Sequence, residues 1–180
     1  MNNFWGNKKT ILTIIENASS YVVTLAMLLY GIGKPLQFVA NAYAQKRVGE
    51  LTGMELMWAF YGYSKPFIII VGLLEITGGL LLLFKKTRIV GCLMLSTILI
   101  NVILQDIFYG VNQGALIAAL FYQTLIGFIL FLNREKLIAA LKVMTSSSFV
   151  ETESKAKWIV ILGSIALFIA LRLLEYLITH

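Results

Sequence analysis

The sequence predicts an all-α fold: a polytopic membrane helix bundle with a four-helix core and a fifth, C-terminal transmembrane helix. Two observations carry this prediction. Hydrophobic residues make up 59% of the 180 residues and charged residues only 13%, whereas soluble domains carry roughly 25% charged residues. The apolar residues are also gathered in five runs of about 20 residues each, the length that crosses a bilayer as a helix. None of the runs alternates as a strand does, so helices are predicted throughout.

The five apolar runs set the predicted boundaries along the chain. The predicted spans are Ser19–Val39, Pro66–Phe84, Arg88–Tyr109, Gly114–Leu132 and Trp158–Ile178. They divide the chain into a cytoplasmic N-terminal segment (1–18), a four-helix core (19–132), a cytoplasmic segment (133–157) and the fifth helix (158–180). The segment 133–157 begins with the pattern of an amphipathic helix and ends in a mixed-charge linker, which indicates that the fifth helix is an addition to the core.

The connection between the first two spans carries the signature of a short helix. Thr52 and Glu55 have the spacing of a capping box, in which each side chain bonds the backbone amide of the other residue. The aromatic-rich residues 56–61 follow directly. They indicate a helix lying in the outer membrane interface, although an ordinary loop with interface-anchoring aromatics explains the same residues.

The basic residues between the spans predict the orientation. Ten Lys and Arg residues fall in the N-terminal segment and in the second and fourth connections, against three in the first connection and none in the third. The positive-inside rule therefore places the N-terminus in the cytoplasm and the C-terminus outside an inner (plasma) membrane. Because the net charge of +6 comes from clusters beside apolar runs, the predicted partner is the lipid bilayer, not nucleic acid.

Glu75 is the candidate site residue that the sequence singles out most clearly. It falls in the middle of the second span, and its helical neighbours are Gly72, Gly78 and Gly79. Glycines mark a face that another helix approaches closely, so Glu75 is predicted to point into the bundle. A charged acid there costs about 2.5–3.5 kcal/mol even on a lenient insertion scale. Its carboxyl group must therefore be paired, hydrated or protonated, and a structural ion pair with Lys34 or Arg172 is one alternative to a functional role.

The other candidates for ligand binding or proton relay lie on the remaining spans. Lys34 shares a helix face with Tyr30, Gln37 and Asn41, and further candidates are Asn101, Gln105, Gln123 and Arg172. With the predicted orientation, these residues outline a pocket open to the outer face and floored by Glu75. Each has a plainer explanation. The amides are compatible with interhelical hydrogen bonding, Lys34 with snorkelling to the headgroups, and Arg172 with pairing to Glu175 on its own helix.

The inventory of ligating side chains limits cofactor chemistry. Cys92 is the single cysteine and His180 the single histidine. Sites that need several histidine or cysteine ligands are therefore not predicted from this chain alone, and the sequence indicates neither a metal site nor a catalytic nucleophile. A bound quinone or lipid remains compatible with the sequence.

Several of these residues resemble the DoxX family of small membrane proteins. The resemblance lies in Gly31-Ile32-Gly33-Lys34 at the end of the first span, in GLLEITGGLL at residues 72–81, and in the short basic turn before Arg88. It covers about residues 19–132 and implies a four-helix membrane core. Two departures are the absence of an early arginine in the first helix and the presence of the fifth helix. Lys34 and Glu75 are the positions carried over, without an assigned role.

Two functions follow from the sequence. The DoxX resemblance implies a membrane subunit or partner of a redox or envelope-stress system, because the family is named for a subunit of a thiosulfate:quinone oxidoreductase and other members look like partners of redox or stress-response proteins. The absence of cofactor ligands favours a non-catalytic role. The polar residues favour the alternative, a membrane enzyme or carrier that binds a small apolar ligand, quinone or lipid, in a pocket floored by Glu75. A purely structural bundle is the third reading. The sequence does not determine an oligomeric state.

Overall fold

A computed structural model describes residues 8–39, 43, 45–146 and 154–179. Within that part of the chain all regular structure is helical. The helices are α1 (Lys8–Gln37), α2 (Gly53–Tyr63), α3 (Lys65–Leu83), α4 (Arg88–Tyr109), α5 (Gln113–Leu132), α6 (Arg134–Thr145) and α7 (Ser154–Thr179), with a 3₁₀ turn at Val48–Glu50. The all-α prediction is therefore confirmed.

Five of these helices, α1, α3, α4, α5 and α7, are long and apolar enough to cross a membrane. The apolar spans of α3, α4, α5 and α7 agree closely with the predicted spans, and α4 agrees at both ends. Large apolar side chains such as Leu25, Leu73 and Ile117 are more than half exposed. Soluble proteins rarely expose so much apolar surface to water, so these helices identify a multi-pass membrane protein.

The first helix begins earlier than the predicted first span, which started at Ser19. It starts at Lys8 and continues past Pro35 to Gln37. The polar residues Glu16 and Asn17 interrupt the apolar run in the sequence, but both side chains bond Arg88 and stay within the helix. Asn41, predicted to extend the polar face of this helix, and most of the predicted linker before α7 lie outside the described residues.

The chain separates into two compact units, residues 1–139 and 140–180. In the first unit, α1 packs against α3 and α5, and α4 packs against the same two helices. Along each contact, residue numbers rise on one helix as they fall on its neighbour, so neighbouring helices are antiparallel. Each of the four helices packs against two others, which closes the bundle. The buried core includes Met27, Leu82, Leu95, Ile126 and Ile129.

Helix α2 lies at the end of this bundle that contains the α4–α5 connection. Its start has the predicted capping box: the Glu55 amide donates to Thr52 Oγ1, and the Thr52 amide donates to Glu55 Oε2 at 3.0 Å. Lys46 donates to Glu55 as well and lowers the pKa of that carboxyl below its ordinary value. The helix packs against α3 and α4. A Cβ added at Gly53 would lie 2.6 Å from the carbonyl oxygen of Tyr109. The start of α2 and the end of α4 therefore approach so closely that there is no room for a side chain at position 53.

The closest helix pair in the bundle is α1 with α3. A Cβ at Gly31 would lie 2.6 Å from the Gly72 carbonyl oxygen, and one at Gly72 would lie 2.5 Å from the Gly31 oxygen. Further along the same contact, Thr24 Oγ1 donates to the Gly79 carbonyl at 2.9 Å and Ser20 Oγ to the Leu82 carbonyl. Small residues and hydroxyl groups therefore let the two backbones touch, as in other membrane helix pairs.

Candidate ligand-binding cavity

A cavity of about 390 Å³ opens in the first unit, at the end of the bundle near α2. All four bundle helices and α2 contribute to its walls. Aliphatic and aromatic side chains make up most of the surface, and the polar and charged groups come mainly from α1, α3 and α4. Its charged and amide side chains are Lys34, Gln37, Glu75, Asn101, Gln105 and Asp106.

Glu75 pairs with Lys34 in this cavity. Lys34 Nζ lies 2.9 Å from Glu75 Oε1, and the side chains are only 12% and 4% exposed. The glycines around Glu75 are buried. Gly72 and Gly79 lie against α1, so that Lys34 of this helix can reach the acid, whereas Gly78 lies against Leu95 of α4. Of the two cations considered from the sequence, the structure pairs Lys34 with Glu75.

The pairing uses only one oxygen of Glu75. The second, Oε2, is buried without a hydrogen-bond partner among the described residues, and so is Oδ2 of Asp106. Asp106 is 8% exposed and lies within electrostatic range of the Lys34 ammonium. Two carboxyl groups therefore share the neighbourhood of one lysine, and each presents an oxygen that no described side chain satisfies.

A chain of hydrogen bonds crosses the wall from α2 to α4. The Tyr61 hydroxyl lies 2.9 Å from Gln105 Oε1, to which it donates, and Gln105 Nε2 donates to Asn101 Oδ1. These polar side chains satisfy one another, so they give this wall a fixed arrangement. The amides at Asn101 and Gln105 therefore serve in hydrogen bonding between helices and also line the cavity.

Aromatic rings form much of the remaining wall. The Phe38 and Tyr61 rings lie 4.9 Å apart, and Tyr61 stacks on Phe67 at 6.0 Å between centroids. Tyr30 meets Tyr122 edge to face at 6.2 Å. Because Lys34 Nζ also lies 5.9 Å from the centroid of Phe38, the charged pair is in contact with this ring surface.

Four of the six predicted site residues meet at the cavity: Lys34, Glu75, Asn101 and Gln105. Gln123 is not in its lining. Its amide nitrogen donates to Ser96 Oγ at 2.6 Å between α5 and α4, while its Oε1 is buried without a hydrogen-bond partner among the described residues. Arg172 belongs to the second unit and pairs with Glu175 one turn along α7. The structure therefore shows Gln123 in a hydrogen bond between helices and Arg172 in an ion pair within its own helix, as their plainer explanations propose.

A second polar cluster, which was not predicted from the sequence, lies at the opposite end of the bundle. From the sequence, Arg88 is an orientation signal and the start of the third span, with no contact assigned to it; in the structure it is 3% exposed. Its guanidinium donates to Glu16 and Asn17, each at 3.0 Å, and to the Leu82 carbonyl at 3.1 Å. Asn133 donates to the same Glu16 oxygen at 2.9 Å. The signal available in the sequence was Glu16 itself, an acid within an apolar helix with no basic neighbour one turn away.

No family model matches the chain, and no solved structure matches it. Among curated proteins, the chain is 29% identical over 84 residues to the uncharacterized protein YwoB of Bacillus subtilis (strain 168); the match covers 47% of this chain and 53% of YwoB. The chain thus spans about half the length of the curated relative that it matches.

Proposed function

We propose that the first unit binds a small, mostly apolar molecule in the cavity beside Lys34 and Glu75. The observation that carries this proposal is the cavity itself, about 390 Å³ in volume with mostly apolar walls. Ligand sites in proteins have volumes of roughly 300–1,000 Å³ and combine apolar walls with a few convergent polar groups. A quinone or a lipid has the matching form, a polar head on an apolar body, and the membrane supplies both.

Filling the cavity tests this proposal. Val71 lines the cavity and the neighbouring Ile70 does not, so Val71→Phe and Ile70→Phe form a matched pair on the same helix. We expect protein purified in mild detergent, and Ile70→Phe, to release the same small molecule in native mass spectrometry. Val71→Phe should release much less of it. An unchanged set of released molecules from Val71→Phe would contradict binding in the cavity.

The DoxX resemblance supports a second proposal, that the protein is a non-catalytic membrane partner of a redox or envelope-stress system. The residues that carry the resemblance form the α1–α3 contact, with Gly31 against Gly72 and Lys34 against Glu75. Crosslinking in intact membranes, followed by identification of the captured proteins, tests it. Recovery of one oxidoreductase or stress-response protein in stoichiometric amount is expected, and capture of abundant membrane proteins alone would count against it.

The orientation is also a proposal, with the N-terminus in the cytoplasm and the C-terminus outside an inner membrane. It rests on the ten-to-three asymmetry of Lys and Arg. The burial of Arg88 removes one of the ten as a surface signal but does not reverse the asymmetry. A reporter fused after His180 should be active only outside the cytoplasm. Activity of that fusion in the cytoplasm would reverse the assignment.

A further inference from the structure

We infer that the cavity takes an organic ammonium ion, a protonated amine carried on an apolar body. This inference rests on the proposed function, that the cavity binds a small molecule, and it specifies the chemical class. It follows from an imbalance at the polar end of the cavity, where acidic residues outnumber basic ones and two buried carboxyl oxygens accept no hydrogen bond from a described residue.

The charged groups of the described lining are two acids and one base, namely Glu75, Asp106 and Lys34. When all three are ionised, the cavity carries one net negative charge. Glu75 Oε1 accepts from Lys34 at 2.9 Å, while Glu75 Oε2 and Asp106 Oδ2 accept from no described residue. Both acidic residues are more than nine-tenths buried. Two acceptor oxygens inside the bundle are thus left for a bound molecule to satisfy.

An ammonium group supplies what these oxygens need. A buried charged group without a hydrogen-bond partner is costly, and hydrogen bonds from a cationic donor are shorter and roughly twice as strong as neutral ones. A quinone matches the apolar walls, but its polar groups are carbonyl oxygens, which would face the carboxylate oxygens of the ionised acids. Among the apolar molecules that a membrane supplies, the cavity therefore favours those that carry an amine over quinones. A carboxylate ligand would add a second unbalanced negative charge. The donor-rich cation is therefore the head group that fits the ionised cavity.

The aromatic walls favour the same class of ligand. Five rings line the cavity: Tyr30, Phe38, Tyr61, Phe67 and Tyr122. A cation near the face of such a ring gains electrostatic attraction, more so where water is excluded. Lys34 shows this contact already, because its Nζ lies 5.9 Å from the Phe38 centroid. The rings also provide apolar contact for the body of an amine.

Three probes of the same size separate the classes: phenylpropylamine, phenylpropanol and phenylpropanoate, which are cationic, neutral and anionic at neutral pH. Binding to the full-length protein in detergent is measured by equilibrium dialysis, with detergent alone as the blank. We expect the amine to bind at least about tenfold more tightly than the alcohol, from charge-assisted hydrogen bonds. Equal binding of amine and alcohol would overturn the inference and leave the proposed function standing. Binding of none of the three would overturn both.

Variants assign the preference to the two acids. Asp106→Asn removes a charge from a residue whose Oδ2 has no described partner, so it should fold and lose most of the preference for the amine. Glu75→Gln should lose it as well if the variant folds. Glu55→Gln is the matched control, because Glu55 is a paired acid outside the cavity lining. The inference is refuted if the Asp106→Asn protein keeps the full preference for the amine. It is also refuted if the wild-type protein prefers the neutral alcohol, as a cavity with a protonated Asp106 would.

Discussion

At the scale of single residues, the pair of Lys34 and Glu75 combines two roles. Its contact of 2.9 Å, with both side chains largely buried, links α1 to α3. The second Glu75 oxygen is buried without a hydrogen-bond partner among the described residues. A buried ion pair adds little stability compared with an apolar pair, but removing one partner strands the other charge inside the protein. The same pair is therefore both a structural contact and the polar end of the cavity.

Glu75→Gln is predicted to lower the free energy of unfolding by roughly 3–5 kcal/mol, because Lys34 would keep its charge without a partner. Unfolding in mixed detergent, followed by circular dichroism, measures the loss. The double variant Lys34→Met with Glu75→Gln should recover most of it, since no unpaired charge then remains. If Glu75→Gln alone unfolds like wild type, the pair does not stabilise the bundle.

Arg88 makes a comparable contribution at the opposite end. It bonds Glu16 and Asn17 on α1, and together with Ser20 it donates to the Leu82 carbonyl at the end of α3. Arg88→Met is predicted to destabilise the protein by about 3 kcal/mol, because Glu16 would lose its only hydrogen-bonded cation among the described residues. Lys86→Met, an exposed neighbour in the same turn, should change stability little. Equal effects of the two substitutions in the same unfolding assay would show that Arg88 acts only at the surface.

At the scale of the helices, the contact between α1 and α3 determines the shape of the cavity. Gly31 and Gly72 allow the backbones to meet, and this close approach is what lets Lys34 reach Glu75. Hydroxyl groups at Ser20 and Thr24 continue the contact toward the other end. The α1–α3 pair is therefore the rigid wall on which the polar end of the cavity is built.

Gly31→Ala is predicted to disrupt this wall, because its Cβ would lie 2.6 Å from the Gly72 carbonyl oxygen and force the helices apart. Gly33→Ala is the matched control, since a Cβ there meets nothing within 4 Å. In the control, alanine should stabilise the helix by up to about 1 kcal/mol through its higher helix propensity. Thermal unfolding of the two variants should therefore shift in opposite directions. A similar melting temperature for both would contradict the close contact.

At the scale of the whole molecule, the chain forms two units, residues 1–139 and 140–180. The buried core of the first unit comes from α1, α3, α4 and α5. A chain that ends after Ser146 is therefore predicted to fold in detergent as a four-helix protein with the cavity intact. Size-exclusion chromatography and circular dichroism measure this outcome. Aggregation of the truncated chain would show that α7 is needed for the fold.

The sequence by itself determined the class of protein, the helices and the capping box before α2. Each of these depends on residues that are neighbours along the chain. A run of about 20 apolar residues predicts a span wherever it occurs, and Thr52 with Glu55 caps a helix through bonds three residues apart. Glycines one turn from Glu75 likewise predicted that this acid faces another helix, because a helix has a fixed period.

The tertiary structure alone decided which partners meet. Lys34 and Arg172 were equally plausible partners for Glu75 from the sequence, and the crossing of α1 over α3 selected Lys34. Arg88 follows two lysines and resembles an orientation signal, yet the register of α1 against α3 and α5 buries it with Glu16 and Asn133. Such contacts depend on how helices distant in sequence cross and slide against one another, and the period of a single helix carries no information about that.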